Sequence, residues 1–355
     1  MIEAGVIGCG RMGAFTSEGV RKFAPDCWFP LAHAEAIQAA EGVELVALCD
    51  ASDDNLARAA KEYGVSRTYA DHAAMLADGA PHLVGIATRT IGRTAIIADC
   101  HAAGTRAFHI EKPICNSMAE LAQLESLFAQ PDTFVTLGAV RRHFAIYKEA
   151  VARAAGGDFG ALLEARVDMG VGPLYWTHPH SVDLILLAAA GRKVEAVQAR
   201  LGEVERDGDI IRNDPQILSA DVWFEDGFVG HIGRAPGIDF RLACENARIS
   251  VLNDGHSLWQ ATMRDDDPYP EPSRQDFTAP DGPQGALAPI TLLAACLDGD
   301  EAAQAANAAL KADILLGQRI LFAMVQSHLE GGCPVSLDAI DPALLIEARS
   351  GQFFA

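Results

Sequence analysis

Short apolar runs alternate with amphipathic stretches along the first third of the chain. Ala4–Ile7, Val43–Cys49 (VELVALC), Leu83–Ala87 (LVGIA) and Arg106–Ile110 read as strands. Between them, Asp53–Tyr63 closes at Gly64, Ile91–Ala103 ends at Gly104, and Met118–Ala129 is stopped by Pro131. These stretches have helical spacing and the usual stop residues. Apolar strands separated by helices predict crossover units and a parallel sheet.

The pattern changes after about residue 130. Thr133–Leu137 reads as a strand and Ile146–Ala155 as a helix. Leu163, Ala165, Val167 and Met169 then alternate with Glu164, Arg166 and Asp168. A period of two marks a sheet with one wet face. Further strands are expected at Val194–Leu201, Ala220–Phe224, Phe228–Ile232, Phe240–Cys244 and Ala247–Val251, arranged as an antiparallel meander. Arg264–Gly285 holds five prolines and is read as lacking regular structure, either a surface excursion or a flap. The predicted class is α/β: an N-terminal domain with a parallel sheet over 1–129, then an α+β domain over 130–355 with a large, mostly antiparallel open sheet.

The first strand runs into Gly8-Cys9-Gly10-Arg11-Met12-Gly13, a G-x-G-x-x-G in the context that dinucleotide binding requires. Gly8 would make the tight turn, Gly10 would admit the pyrophosphate, and Gly13 would let a helix pack close, its N–H groups facing the phosphates. Asp50 closes the second strand, where a carboxylate accepts ribose hydroxyls and repels a 2′-phosphate. No Arg or Lys follows directly, so NAD is favoured over NADP. Asp50 follows Gly13 by 37 residues, against the usual ~20. An insertion over approximately Ala14–Leu31, containing Trp28 and Phe29, accounts for the excess; it is read as a surface loop or as a border of the substrate pocket.

Glu111-Lys112-Pro113 ends the strand Arg106–Ile110, at the sheet end where such folds place chemistry. Lys112 is expected to face the nicotinamide, whose positive charge when oxidised would lower the lysine's pKa and make it a better proton donor. Pro113 is a candidate for a preceding cis bond.

The order of the glycine motif, Asp50, Ala87-Thr88, Glu111-Lys112-Pro113, Arg141-Arg142 and His180-x-x-Asp183 resembles the Gfo/Idh/MocA oxidoreductases. That is the family of glucose–fructose oxidoreductase and inositol dehydrogenase. The resemblance implies a Rossmann domain followed by an α/β domain whose sheet mediates dimer or tetramer contacts. It also implies hydride transfer at a hydroxyl-bearing carbon of a sugar, polyol or related molecule. On this reading Lys112 and His180 are catalytic. Lys112, Arg141, Tyr175, Trp176, His178 and Asp183 hold substrate. Gly8, Gly10, Arg11, Met12, Gly13, Asp50, Thr88, Glu111 and Lys112 hold the cofactor. His180 would take the proton of the reacting hydroxyl, and Asp183 would orient it or bind a neighbouring hydroxyl. The sequence departs from the family at Trp176, where an aspartate is usual, and at Arg89 and Arg93 in the turn after Thr88. Tyr175, Trp176 and His178 are read as an aromatic wall, and Arg89 and Arg93 as added positive charge or solvated helix-start residues. The alternatives are a reductase of a conjugated or imine-type substrate and a catalytically silent NAD-binding regulator.

The rest of the composition excludes more than it adds. Of 355 residues, 28 are Lys or Arg and 48 are Asp or Glu, a net charge of −20. Such a surface repels phosphate backbones and anionic membranes. The N-terminus lacks the basic start and apolar run of a signal peptide, and no apolar run approaches the ~20 residues of a membrane span. The eight cysteines are scattered, without zinc-ligand spacing, and read as free thiols of a cytoplasmic protein. No metal is expected. The expected partners are a polyhydroxylated small molecule and further copies of the chain.

Overall fold

The computed structural model describes residues 1–264 and 267–348. The described residues divide into two units: Met1–Val140 with Gly282–Leu315, and Arg141–Asp281 with residues 316–348.

Among the described residues, the first unit holds a six-stranded sheet of β1 (Ile2–Ile7), β2 (Val43–Cys49), β3 (Arg67–Tyr69), β4 (Leu83–Ile86), β5 (Ala107–Ile110) and β6 (Phe134–Leu137). All neighbours are parallel, in the order β3-β2-β1-β4-β5-β6. This is the doubly wound Rossmann order, with its switch point between β1 and β4. β4, β5 and β6 are buried at every position, as parallel strands covered on both faces must be. The helices of this stretch are α1 (Glu18–Phe23), α2 (His33–Ala39), α3 (Asp53–Tyr63), α4 (His72–Ala77), α5 (Arg93–Ala103) and α6 (Met118–Phe128).

The first unit runs past residue 129 because β6 is the edge strand of its sheet. It also takes back Gly282–Leu315. The Asn307 amide answers the free edge of β6: its Oδ1 accepts from Val135 N–H at 3.1 Å and its Nδ2 donates to Val135 O at 2.9 Å. Lys311 Nζ donates to the carbonyls of Phe128 and Thr133 at 2.9 and 2.7 Å.

The second unit begins with α7 (Ala145–Ala155), β7 (Leu162–Asp168), α8 (Leu174–Thr177) and α9 (Pro179–Ala189). Its strands continue with β8 (Val194–Leu201), β9 (Arg206–Asp207), β10 (Ile210–Ile211), β11 (Ile217–Phe224), β12 (Val229–Gly233), β13 (Asp239–Cys244), β14 (Ala247–Leu252), β15 (Ser257–Arg264), β16 (Asp267–Gln275) and β17 (Leu345–Ile346). Among the described residues eight of these form one sheet, β16-β15-β14-β13-β7-β12-β11-β8. Every pairing in it is antiparallel except β7 with β12. The meander is therefore interrupted: β7 enters between β12 and β13. α7 packs on β13 and β14, and α9 on β7 and β12. Ala165 and Val167 are buried and Arg166 is exposed, as the alternation predicts, whereas Leu163 is exposed and Asp168 is buried, against it.

Two elements differ from the sequence reading. Residues 267–275 form a strand, β16, instead of an irregular loop. Pro268, Pro270 and Pro272 alternate, so their missing N–H groups fall on one side of the strand. β16 is an edge, and that side needs no donor. The 29-residue α11 (Glu301–Leu329), preceded by α10 (Leu287–Leu297), was not anticipated. Gly317 lets α11 approach α9: a Cβ there would lie 3.5 Å from Leu186 Cδ1 and 3.6 Å from Val182 Cγ1.

Candidate functional site

The three glycines of the turn after β1 have three distinct environments. Gly8 has φ +92°, and a Cβ on it would fall 2.7 Å from the Ala87 carbonyl carbon. A Cβ on Gly13 would lie 1.6 Å from Gly8 O. Both positions are closed to larger residues. Above Gly10 there is nothing within 4 Å. Asp50 stands at the end of β2 with Oδ2 accepting from Cys9 N–H at 2.6 Å and Oδ1 from Ser52 N–H at 2.7 Å. Ser52 is the N-cap of α3, so Asp50 serves the glycine turn and not the helix. Thr88 follows β4 across the switch point, with its Oγ1 buried and unpaired. Cys9 and Cys49 are packing residues; burial first, then nearby acids, pushes both thiols up to about 12.

The insertion splits a helix. Ala14 N–H donates to Gly10 O, so a helical turn starts at the glycines. In a continuous helix residues 16 and 17 would next donate to the Met12 and Gly13 carbonyls. Here His33 and Ala34 do so, at 2.9 and 2.8 Å, 17 residues further on. With those 17 residues set aside, Asp50 follows Gly13 by 20, the usual spacing. Glu35 pins the two ends of the excursion. Its carboxylate accepts from the Thr16 hydroxyl at 2.8 Å and from the Leu31 and Ala32 N–H groups at 3.4 and 3.3 Å. The tip docks by backbone: Gly285 N–H donates to Cys27 O at 2.9 Å and Ala286 N–H to Pro30 O at 2.8 Å. A Cβ on Gly285 would fall 2.2 Å from Trp28 O. The segment lies at the surface, as one of the two readings expected, and is docked on the first unit by these bonds.

Glu111-Lys112-Pro113 leaves β5 through a buried cluster. The Lys112–Pro113 bond is cis. Glu111 is 6% exposed, and its Oε1 lies 3.3 Å from Nε2 of fully buried His33. Burial alone would raise the Glu111 carboxyl; the His33 hydrogen bond and the Lys112 and Arg93 cations outweigh it and hold it below the usual range. Gly138 makes room, since a Cβ there would fall 2.5 Å from Glu111 Oε1. Arg93, 2% exposed, donates through Nη1 to the carbonyls of Glu111 and Pro113 and through Nη2 to that of Thr88. It neither faces solvent at the helix start nor offers charge to a ligand. Arg89 is exposed. Lys112 itself is half-buried.

In the second unit, several expected substrate contacts turn out to be internal. Arg141 is 5% exposed and makes a two-pronged pair with Asp254 at 2.6 and 2.7 Å, to which the Tyr147 hydroxyl also donates. Arg142 Nε lies 2.8 Å from Asp183 Oδ1, and its Nη2 donates to Asp183 O. Asp183 therefore ties α9 to the turn at Val140–His143. Tyr175 has no exposed surface; it lies edge-on to Phe322, and Gln318 donates to its hydroxyl at 3.2 Å. His178 is likewise sealed, with Nδ1 3.0 Å from Ser181 Oγ, and burial pushes its pKa down to about 4. Tyr175 and His178 are core residues, so neither forms an aromatic wall. Trp176 and His180 remain half-buried. A carboxylate does stand beside Trp176: Asp214 accepts from the Tyr175 and Trp176 N–H groups at 2.8 and 3.0 Å. Neither Asp214 nor Asp254 carried a sequence signal, because each reaches its partner from a remote loop.

The first unit fits a dinucleotide. The open space over Gly10, the closed turns at Gly8 and Gly13, Asp50 beside them and the unpaired Thr88 hydroxyl are the features such a ligand uses. Residues 2–139 match the family model described as "Oxidoreductase family, NAD-binding Rossmann fold" (GFO_IDH_MocA). Residues 2–139 thus carry the NAD-binding Rossmann domain of that oxidoreductase family. NAD is the cofactor of this fold.

D-apiose dehydrogenase of Paraburkholderia graminis is 33% identical over 93 residues, which span 26% of this chain and 24% of that enzyme. A putative NADPH-dependent oxidoreductase from Desulfitobacterium hafniense superposes with a TM-score of 0.73 at 17% identity, over 96% of this chain and 98% of its own. An inositol dehydrogenase homolog from Azotobacter vinelandii, solved with NADH and myo-inositol, gives 0.72 at 16% identity, over 94% and 97%. These two likenesses are of fold. Among the described residues, no cluster of His, Cys, Asp and Glu is arranged to hold a metal, and no helix is long and apolar enough to cross a membrane.

Proposed function

We propose that this chain transfers a hydride between NAD and a hydroxyl- or keto-bearing carbon of a sugar, polyol or related small molecule. When bound, the nicotinamide supplies the hydride acceptor or donor. The observation that carries the reading is the buried seat of Glu111-Lys112-Pro113. The Glu111 and Arg93 side chains are sealed, whereas Lys112 is half-buried and keeps part of its surface where a ligand's oxygen can reach it. Lys112 donates a hydrogen bond to the reacting oxygen and polarises it. His180, at the start of α9, accepts the hydroxyl proton during oxidation and returns it during reduction. Glu111, held ionised in part by the Lys112 cation, sets a fixed negative charge beside the lysine. The similarity to D-apiose dehydrogenase and the myo-inositol in the Azotobacter structure favour a polyhydroxylated substrate.

The test is turnover on a panel of sugars and polyols with Lys112→Met and His180→Asn beside the parent enzyme. Loss of ~10²-fold or more in kcat in both variants supports the roles assigned. Near-normal turnover in both contradicts them. A parent enzyme that reduces imines or conjugated ketones, and leaves sugars and polyols untouched, contradicts the substrate class.

A further inference from the structure

We propose that Arg93 is a positioning residue for Lys112: its guanidinium fixes the backbone on both sides of that lysine against the turn at Thr88. The proposal rests on the role given above to Lys112.

Arg93 opens α5, the helix that follows β4. Its Nη1 reaches the carbonyls of Glu111 and Pro113, the two residues that flank Lys112, and its Nη2 reaches the carbonyl of Thr88. All three acceptors lie just beyond the carboxyl ends of neighbouring strands, β4 and β5, at the side of the sheet where the glycine turn also lies. A guanidinium presents its donors in one rigid plane, so three carbonyls held by it keep a fixed mutual geometry. Lysine in the same place would have one rotating donor head and no such fork.

A buried cation is ordinarily matched to a carboxylate or to several acceptors. Arg93 has the carbonyl set, with the Glu111 carboxylate close enough to favour its charge. Burial pushes its pKa down to about 10, with Glu111 opposing. The side chain is therefore fully protonated at neutral pH and keeps every donor. At 2% exposure it is sealed from ligands. Any effect it has on turnover must pass through the segments it holds, and Lys112 lies between two of them.

The test is a double-mutant cycle with Arg93→Met, Lys112→Met and the double variant, read as kcat and KM, with NADH affinity followed by fluorescence. Ile97→Ala, a fully buried residue of the same helix, is the control for loss of stability. Arg93→Met is expected to lower kcat by ~10²-fold, approaching the loss caused by Lys112→Met. NADH affinity should change far less than kcat. The double variant should fall no further than Lys112→Met alone, because one residue acts through the other. Arg93→Lys should recover part of the loss, and a cycle run with it replaces the first if Arg93→Met does not fold. Ile97→Ala should lower thermal stability and spare kcat. Losses that multiply in the double variant, or an Arg93→Met kcat no lower than that of the control, would overturn the proposal. Full turnover in Lys112→Met would instead remove the reading of Lys112 on which it rests.

Discussion

His33 Nε2 lies 3.3 Å from Glu111 Oε1, with both side chains buried. His33 is the residue at which the split helix resumes, so the return point of the insertion touches the residue before Lys112. His33→Leu should leave a buried carboxylate without this hydrogen bond, a loss of about 1.5–3 kcal/mol for a bond to a charged group. The melting temperature should drop and kcat should fall ~10-fold or more through displacement of Lys112. His33→Gln, which keeps a donor on a similar reach, should recover much of both. Equal kcat in all three proteins would separate His33 from the chemistry.

The docking of the insertion is tested at Gly285. Its φ is +54° and a Cβ there would meet Trp28 O at 2.2 Å, so Gly285→Ala strains the backbone and pushes the tip off its seat. The expected outcome is a lower melting temperature and new protease cleavage within residues 17–32. If the segment also borders the substrate, Trp28→Ala should raise KM for substrate and leave NAD affinity unchanged. Unaltered proteolysis of Gly285→Ala would show that the insertion is held elsewhere.

Much of this was legible in the chain and some was not, for physical reasons. A parallel strand such as Leu83–Ile86 is covered on both faces, so it prints as an unbroken apolar run. The glycine motif and Glu111-Lys112-Pro113 are contiguous in sequence and could be read directly. The proline-rich strand β16 was misread because a strand's tolerance for proline depends on its having a free edge, which is a tertiary fact. Arg141 and Asp183 were assigned to substrate although each ends in an ion pair, with Asp254 and Arg142. The Asp254 partner is 113 residues away, beyond any local pattern. Tyr175 and His178 flank half-buried Trp176 but point into the core, which sequence order does not distinguish.

Cofactor choice turns on Asp50. Its carboxylate is fixed by Cys9 and Ser52 N–H groups and is placed to accept ribose hydroxyls and repel a 2′-phosphate. NAD(H) should bind more tightly than NADP(H) in a fluorescence titration. Asp50→Ala should weaken NAD(H) by roughly ten- to a hundredfold, the range of a charge-assisted hydrogen bond of ~1.5–3 kcal/mol, and narrow the gap to NADP(H). A parent enzyme that prefers NADP(H) would contradict this and would direct attention to Arg11.

Stability should also carry a pH signature from the exposed face of the large sheet. His231 Nδ1 lies 2.6 Å from Asp221 Oδ1, with Glu164 at 3.9 Å from Nε2. The Asp221 hydrogen bond, against burial and the Arg166 charge, raises the histidine's pKa. A raised folded pKa stabilises the fold fully below the unfolded value of ~6.5 and loses that contribution as pH rises through the folded value. Chemical denaturation at a series of pH values should show this decline above pH ~6.5 in the parent and a flatter curve in His231→Asn. Parallel curves would assign the decline to other groups.

The central claim is NAD-linked hydride transfer on a polyhydroxylated substrate, with Lys112 acting on the reacting oxygen. Its most direct test is the rate of appearance of reduced-nicotinamide absorbance when the parent enzyme and Lys112→Met meet NAD and the same panel of sugars and polyols. The account predicts turnover on at least one of them by the parent and a kcat lower by ~10²-fold or more in the variant, with NAD still bound. No substrate of this class turned over by the parent, or equal rates in the two proteins, would contradict it.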